Sequence, residues 1–461
     1  MEVSIGSTIT IRHPTSEIAR WANSHLILPD PDYAKKVRLG LWTGRTPQTL
    51  TLFERQGDSL ILPFGTLRQI HPMLQEQETK ADFPPASYVD YGGTPVPLYD
   101  YQQEAVEALY QARFGILQSA AGSGKTQMGI ALVKRFHRPA LWLTHTADLL
   151  NQSKERAALY INPSLIGTIT AGRVNIGDGI TFATVQTMSK LDLDRYAKLW
   201  DVVIVDECHH VSGSPTTVTQ YYRVLNHLCA RHKYGLSATV HRSDGLIAAT
   251  HAMLGEVVYT VSDEAVSDKI MKVCVKPCYT GTPLSEDCLN PDGTMNYTRL
   301  INYLCAVPER NQMIVDHIVE EREHSSLILS DRLEHLDLLM HSLPPEMQAN
   351  AVMVSGRMTS KAGKAEREAA IEQMRTGEKM YLFATYALAK EGLDIPRLER
   401  LFMATPVKDE AVVIQSVGRI ARTCPGKGQP LAYDYVDNIR FCQRAYKERV
   451  KHYNKIDAVC I

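Results

Sequence analysis

A glycine-rich run that ends in lysine and threonine is the first place where this sequence could do chemistry. It covers residues 119–126, after a strand-like stretch at 114–118 and before a helical pattern beginning at Gln127. Glycines let backbone N–H groups curl around a phosphate, the lysine reaches further phosphate oxygens, and the threonine hydroxyl can ligate Mg²⁺. The spacing therefore predicts a loop that binds the phosphates of a nucleotide. Its residues are Ala121, Gly122, Ser123, Gly124, Lys125 and Thr126, with Thr126 also at the metal.

Two acids close an apolar run about 80 residues further along the chain. Residues 202–205 have the pattern of a buried strand, and Asp206 and Glu207 follow it directly. In a parallel sheet, ligands bind at the carboxyl ends of the strands. Asp206 is then placed to hold Mg²⁺, and Glu207 to polarise the water that attacks the γ-phosphate.

Two arginines near the C-terminus could complete this chemistry. Arg419 and Arg422 stand three residues apart in the run 415–422, which predicts that they share one face of a helix. Charge builds on the γ-phosphoryl oxygens in the transition state, and a planar cation placed there stabilises it. The alternative is an ordinary solvated helix face.

The elements that must position these residues follow from the alternation of apolar strand-like and periodic helix-like runs. From about residue 98 onwards this alternation predicts parallel α/β domains. Earlier, apolar stretches at 49–55 and 59–63 flank Gln56-Gly57-Asp58, a hairpin signal in a small α+β unit. Proline and glycine crowd residues 84–97 and mark a boundary. We therefore predict three domains, at residues 1–95, 96–262 and 263–461.

Composition narrows the class of protein. The 461 residues are 44% hydrophobic and 22% charged, which excludes a disordered tail protein or a coiled coil. The net charge of −1 means that a polyanion would need a local groove. The sequence has neither an apolar run long enough for a membrane span nor a secretory pattern at its start, so we expect no membrane partner and a cytoplasmic location, in the host cell if the protein is phage-encoded.

Four motifs in this order resemble the superfamily 2 helicases and translocases. They are the phosphate loop, the box 206–209 (Asp-Glu-Cys-His), Ser237-Ala-Thr239 and the run 415–422. The resemblance covers roughly residue 98 to the C-terminus. It implies two tandem RecA-like domains with ATP and Mg²⁺ as cofactors and one nucleotide bound between the domains.

The resemblance also implies roles for individual residues. Glu207, Gln415, Arg419 and Arg422 would be catalytic, with the two arginines as arginine fingers. Nucleotide binding would further involve Gln102 at the adenine, and Gly392 and Asp394 in the family's fifth motif.

Nucleic-acid contacts in this family come mostly from backbone amides and small hydroxyls at loop ends, which touch phosphates without reading bases. A threonine or serine at a strand end is also often a turn or helix cap, so each position alone is open to that interpretation. The positions at matching places are Thr146, Gly172, Thr184, Gln186, Arg242, Arg332, Ser355, Gly356 and Thr385.

The stretch 235–244 resembles the group that includes XPB, the phage branch-migration helicase UvsW and restriction-enzyme translocases. This favours single-stranded, duplex or branched DNA over RNA. We expect a monomeric ATP-dependent DNA helicase or translocase that remodels DNA in phage or mobile-element replication, recombination or repair, with recombination or replication proteins as partners. The alternatives are an RNA helicase and the translocating subunit of a restriction-type complex with little strand separation.

Basic and aromatic residues interleave in the N-terminal region. This mixture is typical of a platform for duplex or junction DNA, and equally of a solvated basic patch beside a small core. The residues are Tyr33, Lys35, Lys36, Arg38, Trp42 and Arg45.

Overall fold

The computed structural model describes the chain except residues 75–78, 86, 120–121, 239–245, 263–270, 357, 359, 391–392 and 394, and the side chains at 361, 364 and 390. The chain divides into two compact units. The first unit consists of residues 1–120 and 124–262, and the second of residues 121–123 and 263–461. Among the described helices, none combines the length and apolar character that crossing a membrane requires.

The first unit begins with a five-stranded sheet of order β5-β6-β2-β1-β7, in which β1 and β7 are parallel and the other pairs antiparallel. A separate antiparallel pair joins β3 and β4. The strands are β1 (Glu2–Ile5), β2 (Thr8–Arg12), β3 (Ile27–Pro29), β4 (Thr49–Thr51), β5 (Glu54–Gln56), β6 (Ser59–Pro63) and β7 (Thr79–Ala81). The helices are α1 (Ser16–His25), α2 (Pro31–Arg38) and α3 (Leu67–Ile70).

The hairpin predicted at residues 56–58 is present between β5 and β6, but the prediction that 49–55 leads straight into it is wrong. Residues 49–51 pair with β3 instead. Leu52 and Phe53, between β4 and β5, are both buried in the core of the N-terminal elements. The Leu52 backbone N–H donates to the Leu26 carbonyl at 2.8 Å, which keeps this part of the chain beside β3.

The N-terminal elements share a core with the rest of the first unit. Ala249 and Ala252 of a later helix lie in the same hydrophobic cluster as Ile9 and Leu62. The buried Lys233 ammonium donates to the backbone carbonyl of Ser7 at 3.0 Å. The boundary at residue 95 therefore remains a prediction about domains, since both sides of it belong to one compact unit.

The main sheet of the first unit has the order β11-β10-β12-β9-β13-β14-β8-β15, and all its described pairs are parallel apart from β10 with β11. The strands are β8 (Gly115–Gln118), β9 (Ala140–Thr144), β10 (Ile166–Thr170), β11 (Arg173–Asn175), β12 (Ile180–Thr184), β13 (Val202–Asp206), β14 (His232–Ser237) and β15 (Val257–Thr260). The helices are α4 (Asp100–Ala112), α5 (Lys125–Phe136), α6 (Ala147–Ala158), α7 (Val185–Met188), α8 (Gln220–Leu225) and α9 (Ile247–Leu254). Strands β9, β12 and β13 are buried along their whole length, as expected of a parallel sheet covered on both faces.

The second unit has a seven-stranded sheet of order β18-β19-β17-β20-β21-β16-β22, with every described pair parallel. The strands are β16 (Cys274–Tyr279), β17 (Ser326–Ser330), β18 (Ala351–Val354), β19 (Tyr381–Thr385), β20 (Arg400–Met403), β21 (Leu431–Val436) and β22 (Val459–Cys460). The helices are α10 (Tyr297–Ala306), α11 (Pro308–Glu320), α12 (Leu333–His341), α13 (Pro345–Ala349), α14 (Lys361–Thr376), α15 (Tyr386–Lys390), α16 (Glu410–Ile420) and α17 (Arg440–Lys455). The predicted parallel α/β architecture is confirmed in both units.

Candidate functional site

The glycine-rich loop connects β8 to α5, which begins at Lys125, two residues earlier than predicted. Gly122 and Gly124 have φ angles of +87° and +86°, a region that side chains with a Cβ rarely adopt. A Cβ at position 124 would also stand 2.4 Å from Nε2 of Gln102. The backbone conformation thus favours glycine at 124, and a Cβ there would require the Gln102 amide to move. Ala121 lies outside the described residues.

The short distance from position 124 also shows that Gln102, which we predict to read adenine, lies against the loop. Gln102 lies in the first turn of α4 and is buried. Its Oε1 accepts a hydrogen bond from the Tyr99 backbone N–H at 3.0 Å, and its Nε2 donates to the Tyr101 hydroxyl at 3.3 Å. The amide is therefore held in one orientation beside Gly124.

The two acids stand at the carboxyl end of β13, which β14 separates from the loop-bearing β8. Lys125 Nζ donates to the Ser119 carbonyl at 3.3 Å and lies 3.9 Å from Glu207 Oε1. Asp206 Oδ1 accepts from the Glu207 backbone N–H at 3.0 Å, and its Oδ2 accepts from the Ser153 hydroxyl at 3.3 Å. The loop lysine and both predicted acids thus belong to one site.

The two carboxyl groups titrate differently because their neighbours differ. Burial first, and then the charge of Glu207, raise the pKa of Asp206 to about 6. Burial acts on Glu207 as well, but Lys125 and a hydrogen bond from His209 outweigh it and lower the Glu207 pKa. Glu207 is therefore ionised at neutral pH. A buried carboxyl with a raised pKa fits a divalent cation, whose charge would favour the ionised form, and Thr126 in the first turn of α5 can supply a hydroxyl ligand.

A histidine that our sequence interpretation gave no role lies beside Glu207. Nδ1 of His209 is 3.3 Å from Glu207 Oε2 and 3.1 Å from the hydroxyl of Ser237 at the end of β14. His209 is the fourth residue of the Asp-Glu-Cys-His box, and its place in that motif was the sequence signal that could have identified it. His209 connects that box to the Ser237 motif.

The predicted nucleic-acid residues of the first unit occupy the other half of the same sheet edge. Thr144 and Thr184 are paired at the ends of β9 and β12. Gln186 Nε2 donates to the His145 carbonyl at 2.6 Å, which joins the loops after these two strands. Gly172 turns the hairpin that follows β10, and no described heavy atom lies within 4 Å of where its Cβ would be.

Some of these residues also have a local structural task. Thr146 caps α6, its hydroxyl accepting from the Leu149 backbone N–H at 3.3 Å. The Thr184 hydroxyl donates to that of Thr187 at 2.9 Å. Thr146 is therefore a helix cap, as the alternative interpretation holds. The N-terminus of α6, with its first-turn N–H groups, lies at this edge of the sheet. Arg242 lies outside the described residues.

The predicted residues of the second unit meet in one groove of about 890 Å³. It opens at the carboxyl ends of the neighbouring strands β18, β19 and β17. Arg332, Ser355, Gly356 and Thr385 all line it. Asn302 of α10 also lines it and was missed: its Oδ1 accepts from Arg332 Nε at 2.7 Å, a long-range contact without a sequence signal.

A buried hydrogen-bonded network supports the loop that carries Arg332. His335 Nε2 is 2.9 Å from Asn311 Oδ1, and its Nδ1 is 2.9 Å from the Ser330 hydroxyl. That hydroxyl accepts from the Arg332 backbone N–H at 3.2 Å. Burial, and then the charge of Arg310, lower the pKa of His335 to about 3, so the ring is neutral and fixes the loop without carrying charge.

The arginine-bearing helix α16 ends at Ile420, which makes one prediction wrong. Arg419 lies in its last turn, but Arg422 lies beyond its end, so the two do not share a helical face. Arg419 donates from Nε to the Ala389 carbonyl at 2.9 Å and from Nη1 to the Leu393 carbonyl at 3.1 Å. Gln415 is buried within the helix.

Lys427 accounts for the position of the segment after α16. Its ammonium donates to the carbonyls of Ile420 at 2.8 Å, Arg422 at 2.7 Å and Pro396 at 3.0 Å. These bonds satisfy carbonyls that a longer helix would have used internally and tie the Arg422 segment to the fifth motif. Lys427 was also missed from sequence. Gly392 and Asp394 lie outside the described residues.

Two families match the chain. Residues 95–242 match the type III restriction enzyme res subunit, and residues 309–424 match the helicase conserved C-terminal domain. The solved structure of S. cerevisiae Dbp5 bound to RNA and ADP BeF3 is similar with a TM-score of 0.56 at 16% identity, over 87% of this chain and 94% of that one. This likeness shows that the two sheets are tandem RecA-like domains.

Relatives point to the same superfamily. The chain is 26% identical over 365 residues to a protein of Acanthamoeba polyphaga mimivirus named as an ATP-dependent RNA helicase, covering 77% of this chain and 66% of that protein. It is 26% identical over 361 residues to the DNA 3'-5' translocase XPB2 of Sulfurisphaera tokodaii, covering 71% of this chain and 79% of that protein. One matched family spans the phosphate loop and both acids and the other spans both arginines, and together with the XPB relative these matches support a superfamily 2 helicase related to the XPB group.

Proposed function

We propose that the protein is an ATP-dependent DNA translocase that unwinds or remodels duplex, forked or branched DNA. The observation that carries the proposal is the site formed by Lys125, Asp206 and Glu207, in which the loop cation lies near an ionised glutamate next to a buried carboxyl of raised pKa. Such a site suits hydrolysis of a nucleoside triphosphate better than simple binding of one.

Each residue has a role in this chemistry. ATP phosphates would lie at the N-terminus of α5, where backbone N–H groups and Lys125 receive their charge. Bound at Thr126 and Asp206, Mg²⁺ would neutralise charge on the β- and γ-phosphates. Glu207 accepts a proton from the attacking water, and Gln415 orients that water.

The arginines act at the transition state. Arg419 and Arg422 would stabilise the charge that develops on the γ-phosphoryl oxygens, as arginine fingers do. Hydrolysis would then require residues of both RecA-like domains, so that ATP turnover and domain movement occur together. That coupling is what would drive a nucleic-acid strand along the protein.

We propose DNA as the polymer, with RNA as the second candidate. Support for DNA comes from the Asp-Glu-Cys-His box in place of the Asp-Glu-Ala-Asp of many RNA helicases, and from the relative named as a DNA translocase. Support for RNA comes from the mimivirus relative. The groove around Arg332 and the edge around Gln186 would hold phosphates, which both polymers carry.

The N-terminal region offers an additional nucleic-acid surface. All eight residues of α2 are at least partly exposed, and Trp42 just beyond it is 88% exposed. Lys35, Arg38 and Arg45 accompany the indole, and residues 33–46 contain no acid. An exposed aromatic ring among cations suits stacking on an unpaired base at a fork or junction.

ATP hydrolysis with different polymers tests the proposal. Single-stranded, duplex, forked and four-way-junction DNA and RNA of equal length would be compared, with Glu207→Gln as the blank. We expect the strongest stimulation from duplex or branched DNA. Stimulation by RNA alone would replace DNA with RNA in the proposal, and a rate indifferent to every polymer would contradict it.

A further inference from the structure

Three imidazole rings lie in contact in a row between the two halves of the first unit's sheet edge, one pair stacked and the other tilted. The rings of His145 and His210 are 4.4 Å apart between centroids and nearly parallel, with an interplanar angle of 14°. Those of His210 and His209 are 4.2 Å apart at 40°. His145 follows β9 and the other two follow its neighbour β13. We call these three residues the histidine stack.

One end of the histidine stack lies among the candidate nucleic-acid residues. His145 stands directly between Thr144, the last residue of β9, and Thr146, which caps α6. Its carbonyl accepts the 2.6 Å hydrogen bond from Gln186. A phosphate contact that shifts Thr146 or Gln186 would therefore act on the backbone that carries the His145 ring.

The other end contacts the catalytic glutamate. Nδ1 of His209 is 3.3 Å from Glu207 Oε2, and the His210 backbone N–H donates to the Glu207 carbonyl at 3.1 Å. Glu207 has φ +47° and ψ +52°, a left-handed conformation that is uncommon for a residue with a side chain. Such a conformation persists only where the surroundings determine it. The histidines are part of those surroundings.

We propose that the histidine stack couples nucleic-acid binding at Thr146 and Gln186 to the orientation of Glu207, with His145 and His210 as positioning residues. The inference rests on the proposed function, since it concerns stimulation of the same hydrolysis. Rings at contact distance move together, so a shift of the β9 loop would reach the Glu207 carboxylate through the stacked pair of His145 and His210 and the tilted contact of His210 with His209. The mechanism requires planar rings at positions 145 and 210. It does not depend on a change in the protonation of either ring.

Two substitutions at position 210 distinguish the effect of a planar ring from the effect of filling the space. His210→Phe keeps a planar ring that can stack, whereas His210→Leu fills similar space without one. We expect His210→Leu to lower the ratio of DNA-stimulated to basal kcat by about fivefold or more, with KM for ATP and DNA affinity within twofold of the parent. His210→Phe should keep most of the ratio. His227→Ala, at an exposed histidine of the same unit, is the control and should behave like the parent.

A double-mutant cycle tests whether the two rings act together. His145→Leu, His210→Leu and the double variant would be compared by the same ratio, after thermal unfolding shows that each is folded. Since either change breaks the stack, we expect the double variant to lose little more than either single one. Multiplicative losses, or a Leu variant that keeps the parental ratio, would overturn the inference.

The same data separate this inference from the proposed function. If the parent is stimulated by no nucleic acid, the proposed function fails. If the parent is stimulated and His210→Leu and His210→Phe lose the ratio equally, the proposed function stands and the ring-stacking inference fails.

Discussion

The two RecA-like domains hold their lysines and arginines at different distances from their partners. In the first, Lys125 donates to the Ser119 carbonyl at 3.3 Å and lies 3.9 Å from a carboxylate oxygen of Glu207, both long for such contacts. In the second, Arg419 and Lys427 donate to backbone carbonyls at 2.7–3.1 Å. Long contacts are weak, so an incoming phosphate can replace the partners of Lys125, whereas the shorter bonds of Arg419 and Lys427 fix backbone segments in place.

The largest expected effect is at Arg422, in the segment that Lys427 ties to the fifth motif. Arg422→Ala should lower kcat for ATP hydrolysis by about 10³-fold or more, because an arginine at the γ-phosphoryl acts mainly in the transition state. ATP affinity should change little. Steady-state hydrolysis and nucleotide binding measure the two quantities, with the exposed Arg440→Ala in the same domain as the control. A parental rate in Arg422→Ala would remove the second domain from catalysis.

The acid of the first domain should come next. Glu207→Gln preserves size and removes the base, so we expect kcat to fall by about 10²–10³-fold while ATP still binds. Glu155→Gln, at an exposed position of α6, should leave the rate unchanged. Equal loss of ATP binding and of turnover would instead assign Glu207 a role in binding.

Lys427 tests whether carbonyl bonds position the arginine segment. Lys427→Met removes three donors and should lower kcat by about tenfold, with KM for ATP nearly unchanged and rescue by Lys427→Arg. Failure of the arginine variant to restore activity would indicate that shape, not hydrogen bonding, matters at this position.

The same lysine predicts a pH dependence. Burial, opposed by Glu399, lowers the pKa of Lys427 to about 8. As pH rises through about 8, the ammonium loses a proton and cannot keep all three hydrogen bonds, so kcat should decline. Lys427→Arg stays charged and should hold its activity to higher pH. Identical profiles above pH 8 for the parent and Lys427→Arg would count against this explanation.

The smallest effect is expected at the N-terminal surface. Trp42→Ala should weaken binding to forked or single-stranded DNA by about fivefold and leave basal hydrolysis intact, because one stacked base contributes about 1 kcal/mol or more. Fluorescence anisotropy with labelled DNA measures the change. Tyr279→Ala, an exposed aromatic of the second unit, is the control. Unchanged affinity in Trp42→Ala would favour the solvated-patch interpretation.

Patterns within short stretches of sequence were sufficient to predict part of this structure. Strand, glycine loop and helix follow one another within residues 114–136, so the phosphate loop was predictable, as were Asp206 and Glu207 at a strand end. The end of α16 was not, because Lys427 terminates it through bonds to carbonyls in two segments.

Two of the missed residues, Asn302 and His145, share one property. Asn302 meets Arg332 across 30 positions, and His145 meets His210 across two neighbouring strands. No pattern within a short window records such contacts, because the order of strands in the sheet creates them. Only the fold could identify these residues.

Movement along DNA is most directly measured by displacement of a third strand from a duplex. With the parent protein, we expect displacement that requires ATP, stops with Glu207→Gln and slows in proportion to hydrolysis with Arg422→Ala. Hydrolysis stimulated by duplex DNA without any displacement of the third strand would contradict translocation.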